Sequence, residues 1–437
     1  MKKVSALTLV TSGDTASPTP QLPAELAAAL GDVSAAAREG LLALSVATGM
    51  AVMQAMFEAE ITAVVGPKGR HDPDRTAVRH GRQRGSVVLG GRRVDVDRPR
   101  ARRLDGVEVA LPTYDTFAGE DLLTTVVMER MFAGVATRRH ERIGEPVGPA
   151  VAATAKSTSK SAVSRRFVKA TETALDELMD RDISGLNIKV VMIDGQHIAD
   201  HCMIVALGIG ADGTKTPLGL REGSTENKTV VTALLADLVS RGLSADGGLL
   251  AVIDGGKALS AGLKAVFGRD VAIQRCQIHK RRNVAEHLPE AERAWIDKKL
   301  AGIFADADPE RGEQAARALA KAIERKHPGA AASLREGLTD MFTVARLGVT
   351  GTLARTLTSS NPIESMISIA RTVNRNVTHW KNGPMVMRWT AAGMAQAARS
   401  FRRVKGYHQL PALISALTRH SQPQPATTGT KRLTRPA

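Results

Sequence analysis

Apolar residues recur along this chain in several rhythms, and each predicts a different element. From Ala24 to Val65 they fall three and four residues apart, as at Leu41, Leu44, Met50, Met53 and Phe57, the spacing of a helix face. The texture then changes to RHGRQRGSVVLGGRRVDVDRPRARR. Here Val87 to Leu89, a Gly90-Gly91 turn and Val94 to Asp97 predict a hairpin in which basic and apolar residues alternate, a ribbon able to present arginines to phosphates. Helical spacing returns over residues 120–185. Within that stretch a short polar turn, Ser157-Thr158-Ser159, leads into a helix carrying Ser161, Ser164, Arg165, Arg166 and Lys169. Two readings fit it: the second helix of a helix-turn-helix, or a capped amphipathic helix with a basic solvent face.

From Asn187 the pattern becomes α/β. Strands predicted at Ile188 to Ile193, Cys202 to Ile209 and Thr216 to Leu220 are joined by short turns, which makes them antiparallel neighbours. A helix (Glu226 to Arg241), a strand (Leu249 to Ile253), a helix (Lys257 to Phe267) and a strand (Val271 to Arg275) follow. Residues 285–355 then carry helical spacing and no strand signal, and a last helix opens at Ile363-Glu364 after the turn residues Thr358 to Pro362.

Charge changes this picture more than composition does. At 437 residues, 43% hydrophobic and 24% charged, the chain reads as an ordinary globular protein of two to four domains. Aromatics at 3% argue against a sheet that stacks RNA bases. Sixty Lys and Arg against 44 Asp and Glu give a net charge of +16. Val65 to Arg103 holds 12 basic and 4 acidic residues, and after Glu364 there are 12 basic residues and no acid. Those two stretches exceed the total, so the remainder is net negative. Clustered positive charge is the footprint of a polyanion partner, nucleic acid above all, with a solvated basic surface as the alternative. Two cysteines make no disulfide framework and fit a reducing compartment. The seven-residue apolar run Val4 to Val10 is short for a signal peptide. Gly40 to Phe57 is uncharged for 18 residues but rich in small and polar residues, so a buried soluble helix is expected there and no membrane span.

Three acids stand at the ends of buried elements: Asp194 after VVMI, Asp254 after LLAVI, and Glu364 in the first turn of the last helix. Carboxylates that converge repel one another unless a cation sits among them. Hard oxygen ligands suit Mg²⁺ or Mn²⁺, and two such ions about 3.5–4 Å apart can activate an attacking oxygen and stabilise a leaving one in phosphodiester cleavage. Alternatively, Asp194-Gly195 and Asp254-Gly255 are turn dipeptides and Glu364 is an acid favoured by a helix dipole. Cys276 and His279 form half a zinc site, which His197 and His201 would have to complete from a strand or turn. A place beside the acids is the preferred reading of the pair.

Taken together, Val191-Met192-Ile193-Asp194-Gly195, Gly219 to Asn227 (GLREGSTEN), Val252-Ile253-Asp254-Gly255, Cys276-Gln277-Ile278-His279-Lys280 and Asn361-Pro362-Ile363-Glu364-Ser365 resemble the Mutator-type transposases of bacterial insertion sequences. The resemblance implies an RNase H-like mixed sheet, three antiparallel strands plus two parallel, interrupted by an all-helical insertion. It implies a metal-binding triad of Asp194, Asp254 and Glu364 serving two Mg²⁺ ions, with Cys276 and His279 as the signature beside it. Glu222 and Glu226, the nearest rival acids, are expected to matter less. The implied activity is binding of terminal inverted repeats, hydrolysis to a free 3′-OH and joining to target DNA. A nuclease or resolvase that cuts without joining, and a non-catalytic DNA-binding regulator, are the alternatives. The expected organisation is a disordered N-terminus (1–22), a helical and basic hairpin DNA-binding region (23–115), a helical DNA-binding or dimerisation region (116–185), a catalytic domain (186–284 and 356–418) split by the insertion (285–355), and a disordered basic tail (419–437). Double-stranded DNA is the expected partner, with Arg82, Arg84, Arg92, Arg93, Arg98, Arg100, Lys280, Arg281, Arg371, Arg375, Arg402 and Arg403 joining the helix residues above as contacts. A homodimer or larger assembly in the cytoplasm, at the nucleoid, completes the expectation.

Overall fold

A computed structural model of the protein describes residues 40–422, apart from 71–72, 74, 90–91, 120, 141, 144–151, 154 and 157–158. The expected disordered N-terminus, the Gly90-Gly91 and Ser157-Thr158 turns and residues 423–437 of the basic tail lie outside the described residues. The chain divides into two compact units, Met1–Val127 with Thr137–Val163, and Met128–Ala136 with Ser164–Ala437.

In the first unit, α1 (Leu41–Val65) buries Ala43, Val46, Met53, Phe57, Ile61 and Val65, positions three, four or seven apart. Met53, Phe57, Ile61 and Val65 pack against an antiparallel pair, β1 (Ala77–Leu89) and β2 (Arg92–Arg103), and α2 (Pro112–Ala118). The hairpin is much longer than the apolar run alone predicted. Its buried positions change parity along β2, from Val94 and Val96 to Pro99 and Ala101, and the register slips on the partner strand between Arg79 and Arg82. Such an irregularity turns one strand face over relative to the core. The 18 uncharged residues lie within or next to α1, and no helix among the described residues is long and apolar enough to cross a membrane.

Two further helices are α3 (Asp121–Phe132) and α4 (Lys160–Asp180). In α4, Val163, Phe167, Thr171 and Leu178 are buried, while Ser161, Ser164, Arg165 and Lys169 are exposed. The Phe167 ring meets Trp389 at a tilt, with centroids 4.5 Å apart, and Arg388 donates to Thr171 Oγ1.

The second unit is built on a five-stranded sheet. Its strands are β3 (Ile188–Ile198), β4 (His201–Gly210), β5 (Lys215–Gly223), β6 (Leu250–Ile253) and β7 (Ala272–Arg275), in the order β5-β4-β3-β6-β7. The first three pair antiparallel and β3, β6 and β7 pair parallel, the mixed arrangement that short turns followed by strand-helix-strand connections require. Both faces are covered, so the central strands read as continuous apolar runs. Val191, Ile193, Ile204, Ala251 and Ile253 face α5 (Lys228–Ser240) and α6 (Lys257–Phe267). Val190, Met192, Val205, Leu207 and Val252 face α12 (Gly351–Leu357), α13 (Asn361–Asn374), α14 (Gly383–Ala398) and α15 (Leu410–Ser421).

Between β7 and α12 the chain leaves the sheet as α7 (Gln277–Glu286), α8 (Glu290–Phe304), α9 (Pro309–Ile323), α10 (Pro328–Arg335) and the short α11 (Thr343–Arg346). This excursion has its own core, in which Val284, Ile296, Leu300, Phe304, Ala316, Leu334 and Phe342 close on one another. Phe342 is 1% exposed and meets Phe304 edge-on at 5.8 Å. Phe342→Ala should therefore cost about 3–5 kcal/mol of the excursion's stability. Urea denaturation followed by hydrogen exchange would show it, and an unchanged exchange pattern across α8 to α10 would mean that no separate core exists there.

Candidate active site

The strand rhythm that identified Asp194 also misplaced it. β3 does not stop at Ile193 but pairs with β4 as far as Ile198 opposite His201, with Ala199 at φ 49° in the turn. Asp194 lies inside the strand opposite Val205, and Asp194-Gly195 is not a turn dipeptide. Asp254 does follow the last residue of its strand. The parallel register pairs Ile193 with Ile253, so the two aspartates succeed residues in register on neighbouring strands, about 4.8 Å apart in backbone spacing. Next along, Ile253 pairs with Arg275, and the N–H of Cys276 donates to the Ile253 carbonyl at 2.7 Å. Asp194, Asp254 and Cys276 thus stand at one level across three parallel strands.

Glu364 reaches this edge from the far side of the helical excursion. The chain's return is stitched to its departure: Gln277 N–H donates to Thr358 O at 2.9 Å, and Ser360 N–H to Cys276 Sγ at 3.4 Å. Pro362 lies in the first turn of α13, where a missing N–H costs nothing, and Glu364 follows in the same turn. Its Oε1 accepts from Ser360 Oγ and lies 3.9 Å from His279 Nδ1. Cys276 Sγ, a His279 nitrogen and a Glu364 oxygen all fall within 4.8 Å of one another.

The charges act on each other. Burial above all, then the charge of Asp254 and of Glu364, push the Asp194 carboxyl up to about 7, against the pull of His279 and of the Gly195 N–H, which donates to Oδ1 at 2.9 Å. The sulfur of Cys276 raises the His279 imidazole to about 9 against the effect of burial, with Glu364 and Asp254 adding to it. Burial pushes the Cys276 thiol up, but hydrogen bonds from His279 and Ser360 outweigh it and leave the thiol below its ordinary value. Cys276 also caps α7, its Sγ accepting from the His279 N–H at 3.5 Å.

A further acid enters that sequence reasoning discounted. Glu226, in the loop before α5, carries its carboxylate to the edge of the sheet between Gly195 and Gly256. Burial and then Asp254 hold its carboxyl above the ordinary range. The signal was present in two glycines that follow the aspartates, Gly195 directly after Asp194 and Gly256 two residues after Asp254, in stretches that read as turns. Glu222, the other rival acid, is bound to His201 Nδ1 at 2.5 Å. His197 pairs across the ladder with Cys202 rather than reaching toward Cys276.

The expected DNA contacts divide. Lys280 is a correction: 4% exposed, its ammonium donates to the carbonyls of Ser333 and Glu336 and to Glu336 Oε2, because three acceptors at the end of α10 satisfy all of its donors. Arg281 is held by both oxygens of Asp297. On the hairpin, Arg82 pairs with Glu58, Arg93 with Ser86 Oγ and Ala118 O, and Arg100 with both oxygens of Glu108, while Arg98 lies 4.3 Å over the Tyr114 ring. Arg92 is half-buried and Arg84 exposed. Arg166, on α4, is half-buried. Arg371, Arg402 and Arg403 are exposed, and Arg375 is exposed while donating to Ala133 O.

An acidic edge of a mixed sheet, reached by a helical detour, places the chain in a class that comparison with known proteins identifies. The family model "Transposase, Mutator family" matches residues 24–403, and the chain belongs to that family. Among curated proteins it is 28% identical over 331 residues to the transposase for insertion sequence element IS1081 of Mycobacterium tuberculosis, covering 72% of this chain and 76% of that one. It is 29% identical over 258 residues to the transposase for IS256 in transposon Tn4001 of Staphylococcus aureus (56% and 63%), and 29% over 181 residues to that for IST2 of Acidithiobacillus ferrooxidans (41% and 59%). The chain thus spans about three fifths of the length of the last two.

The sign of the Asp194 shift gives a test. A carboxyl whose folded pKa is raised binds its proton more tightly when folded, so the stability it contributes is full below about pH 4 and is lost as pH rises to about 7. Metal-free protein should lose up to about 1.4 kcal/mol per pH unit through that window. Asp194→Asn should flatten the slope between pH 4 and 6 in a denaturation series. An equal slope in both proteins would contradict the burial of a crowded carboxyl.

Proposed function

We propose that the chain is an RNase H-like DDE transposase, in which Asp194, Asp254 and Glu364 hold divalent cations and the protein cuts and joins the DNA ends of an insertion sequence. The observation that supports this reading best is the register of β3 with β6, which sets Asp194 beside Asp254, with Glu364 near enough for its charge to raise the Asp194 carboxyl. The residues fit Mg²⁺ or Mn²⁺. The donors are hard oxygens, and among the described residues no lysine or arginine forms an ion pair with Asp194, Asp254 or Glu364. Gln196, two residues beyond Asp194 on the same strand face, is 2% exposed with both amide atoms unpartnered. Bound there, the cations would supply Lewis-acid activation of water or a 3′-OH and charge stabilisation at the scissile phosphate.

The protein's own share is orientation. Ser360 and His279 direct the Glu364 carboxylate, the Gly195 N–H holds one oxygen of Asp194, and the Gly256 N–H holds Asp254 Oδ1 at 2.9 Å. Hydrolysis and joining both need an oxygen brought in line with a phosphate, so one site serves both. Exposed Arg84, Arg165, Lys169, Arg371, Arg402 and Arg403 are the proposed phosphate contacts. Synapsis of two ends requires at least a dimer.

Asp194→Asn, Asp254→Asn and Glu364→Gln should each abolish cleavage and joining on a plasmid carrying the element's own ends, while gel-shift binding to those ends persists. Retained strand transfer in any one variant removes that residue from the triad, and full activity in EDTA removes the cations. Replacing Arg371, Arg402 and Arg403 together by Ala should lower the dependence of log affinity on log salt by about 0.9 for every phosphate that is no longer neutralised. An unchanged slope would make them a solvated face.

A further inference from the structure

Asp194 and Glu364 do not share a side of the sheet with Glu226. Asp194 has the face parity of Met192, which packs under α13, the helix that carries Glu364. Glu226 stands in the loop that leads from β5 into α5, a helix covering the other face. It comes to the edge only where two residues lack side chains. A Cβ on Gly195 would lie 2.7 Å from Glu226 Oε2, and one on Gly256 would collide with Glu226 Oε1 while standing 3.4 Å from Asp254 Oδ1. One small volume beside Gly256 is therefore bordered by both Glu226 and Asp254.

Nothing structural accounts for this acid. The cap of α5 is Asn227, whose Oδ1 accepts from the Val230 N–H at 3.0 Å, and among the described residues no lysine or arginine forms an ion pair with Glu226. Its position beside Asp254 is repulsive and half-buried, an arrangement that is costly without a cation between the two carboxylates.

We propose that Glu226 is a fourth carboxylate of the site and ligates, together with Asp254, one of the divalent cations, entering through a slot that Gly195 and Gly256 keep open. This rests on the reading of Asp194, Asp254 and Glu364 as cation ligands. The test is a titration of the full chain with Mn²⁺, free ion being followed by electron paramagnetic resonance, without DNA. Glu226→Gln should weaken Mn²⁺ binding about tenfold or more, which is about 1.4 kcal/mol. Glu222→Gln should leave it unchanged. Gly256→Ala, which displaces the carboxylate without removing its charge, should reproduce the Glu226→Gln loss and serves as the test should that variant fail to fold. Wild-type affinity in Glu226→Gln and Gly256→Ala, alongside a clear loss in Asp254→Asn, overturns the role of Glu226 and leaves the triad standing. Wild-type affinity in Asp194→Asn and Asp254→Asn as well overturns the cation reading beneath it.

Discussion

Carboxylates held side by side repel, and the second unit is arranged around that constraint. Two adjacent parallel strands put Asp194 and Asp254 about one strand spacing apart, with Asp194 almost fully buried. Nothing in the fold neutralises them with a lysine or arginine among the described residues. Beside them stands His279, whose imidazole is raised to about 9 by its Cys276 neighbour and by the surrounding acids. A rigid, doubly covered sheet can hold such an arrangement because neither strand can move without breaking ladder hydrogen bonds and a packed core on both faces.

The helical excursion answers a different problem, that of bringing a third acid to the edge from a distant part of the chain. It leaves after Cys276 and returns before Ser360, and those two residues are in contact. With the ends tied, the excursion can carry its own core without altering where Glu364 lands. It is also anchored to the sheet edge. Gln274 donates to Met341 O and accepts from the Val344 N–H, while buried Arg275 and Lys280 face Glu336, with Asp340 also beside Arg275. Burying a cation is costly unless it is met by acceptors, so the contacts of Gln274 and Arg275 on β7 act as a specific latch between excursion and sheet, while those of Lys280 on α7 tie the excursion to itself.

Basic composition turned out to be a poor guide to which cations are available. Along the hairpin, Arg82, Arg93, Arg98 and Arg100 serve the first unit itself, holding Glu58, Ser86, Tyr114 and Glu108. Arginine does this readily because its planar fork binds carboxylates in pairs and stacks on rings. The C-terminal stretch differs: it contains no acids of its own, and Arg371, Arg402 and Arg403 stand exposed, although Arg403 lies 5.2 Å over the Tyr407 ring and acts on the charge of Asp212.

The sequence by itself determined the order of elements, the mixed sheet, the all-helical excursion and the family, because periodicity, Asp-Gly after apolar runs and the CxxH spacing are local signals that survive without neighbours. It named Asp194, Asp254, Cys276, His279 and Glu364, residues that the fold does gather at one edge. Strand length was not legible: β3 continues through Asp-Gly because β4 pairs with it, and pairing is not written in either strand alone. Lys280 looked like a surface cation beside a signature histidine, and only the arrival of α10 from about 50 residues further on made it a buried one. Glu226 looked like the first residue of a helix and a lesser rival of the three acids. Its place depends on two glycines, one on each of two separate stretches, leaving room at the same point in space, and that coincidence exists only after the sheet has closed.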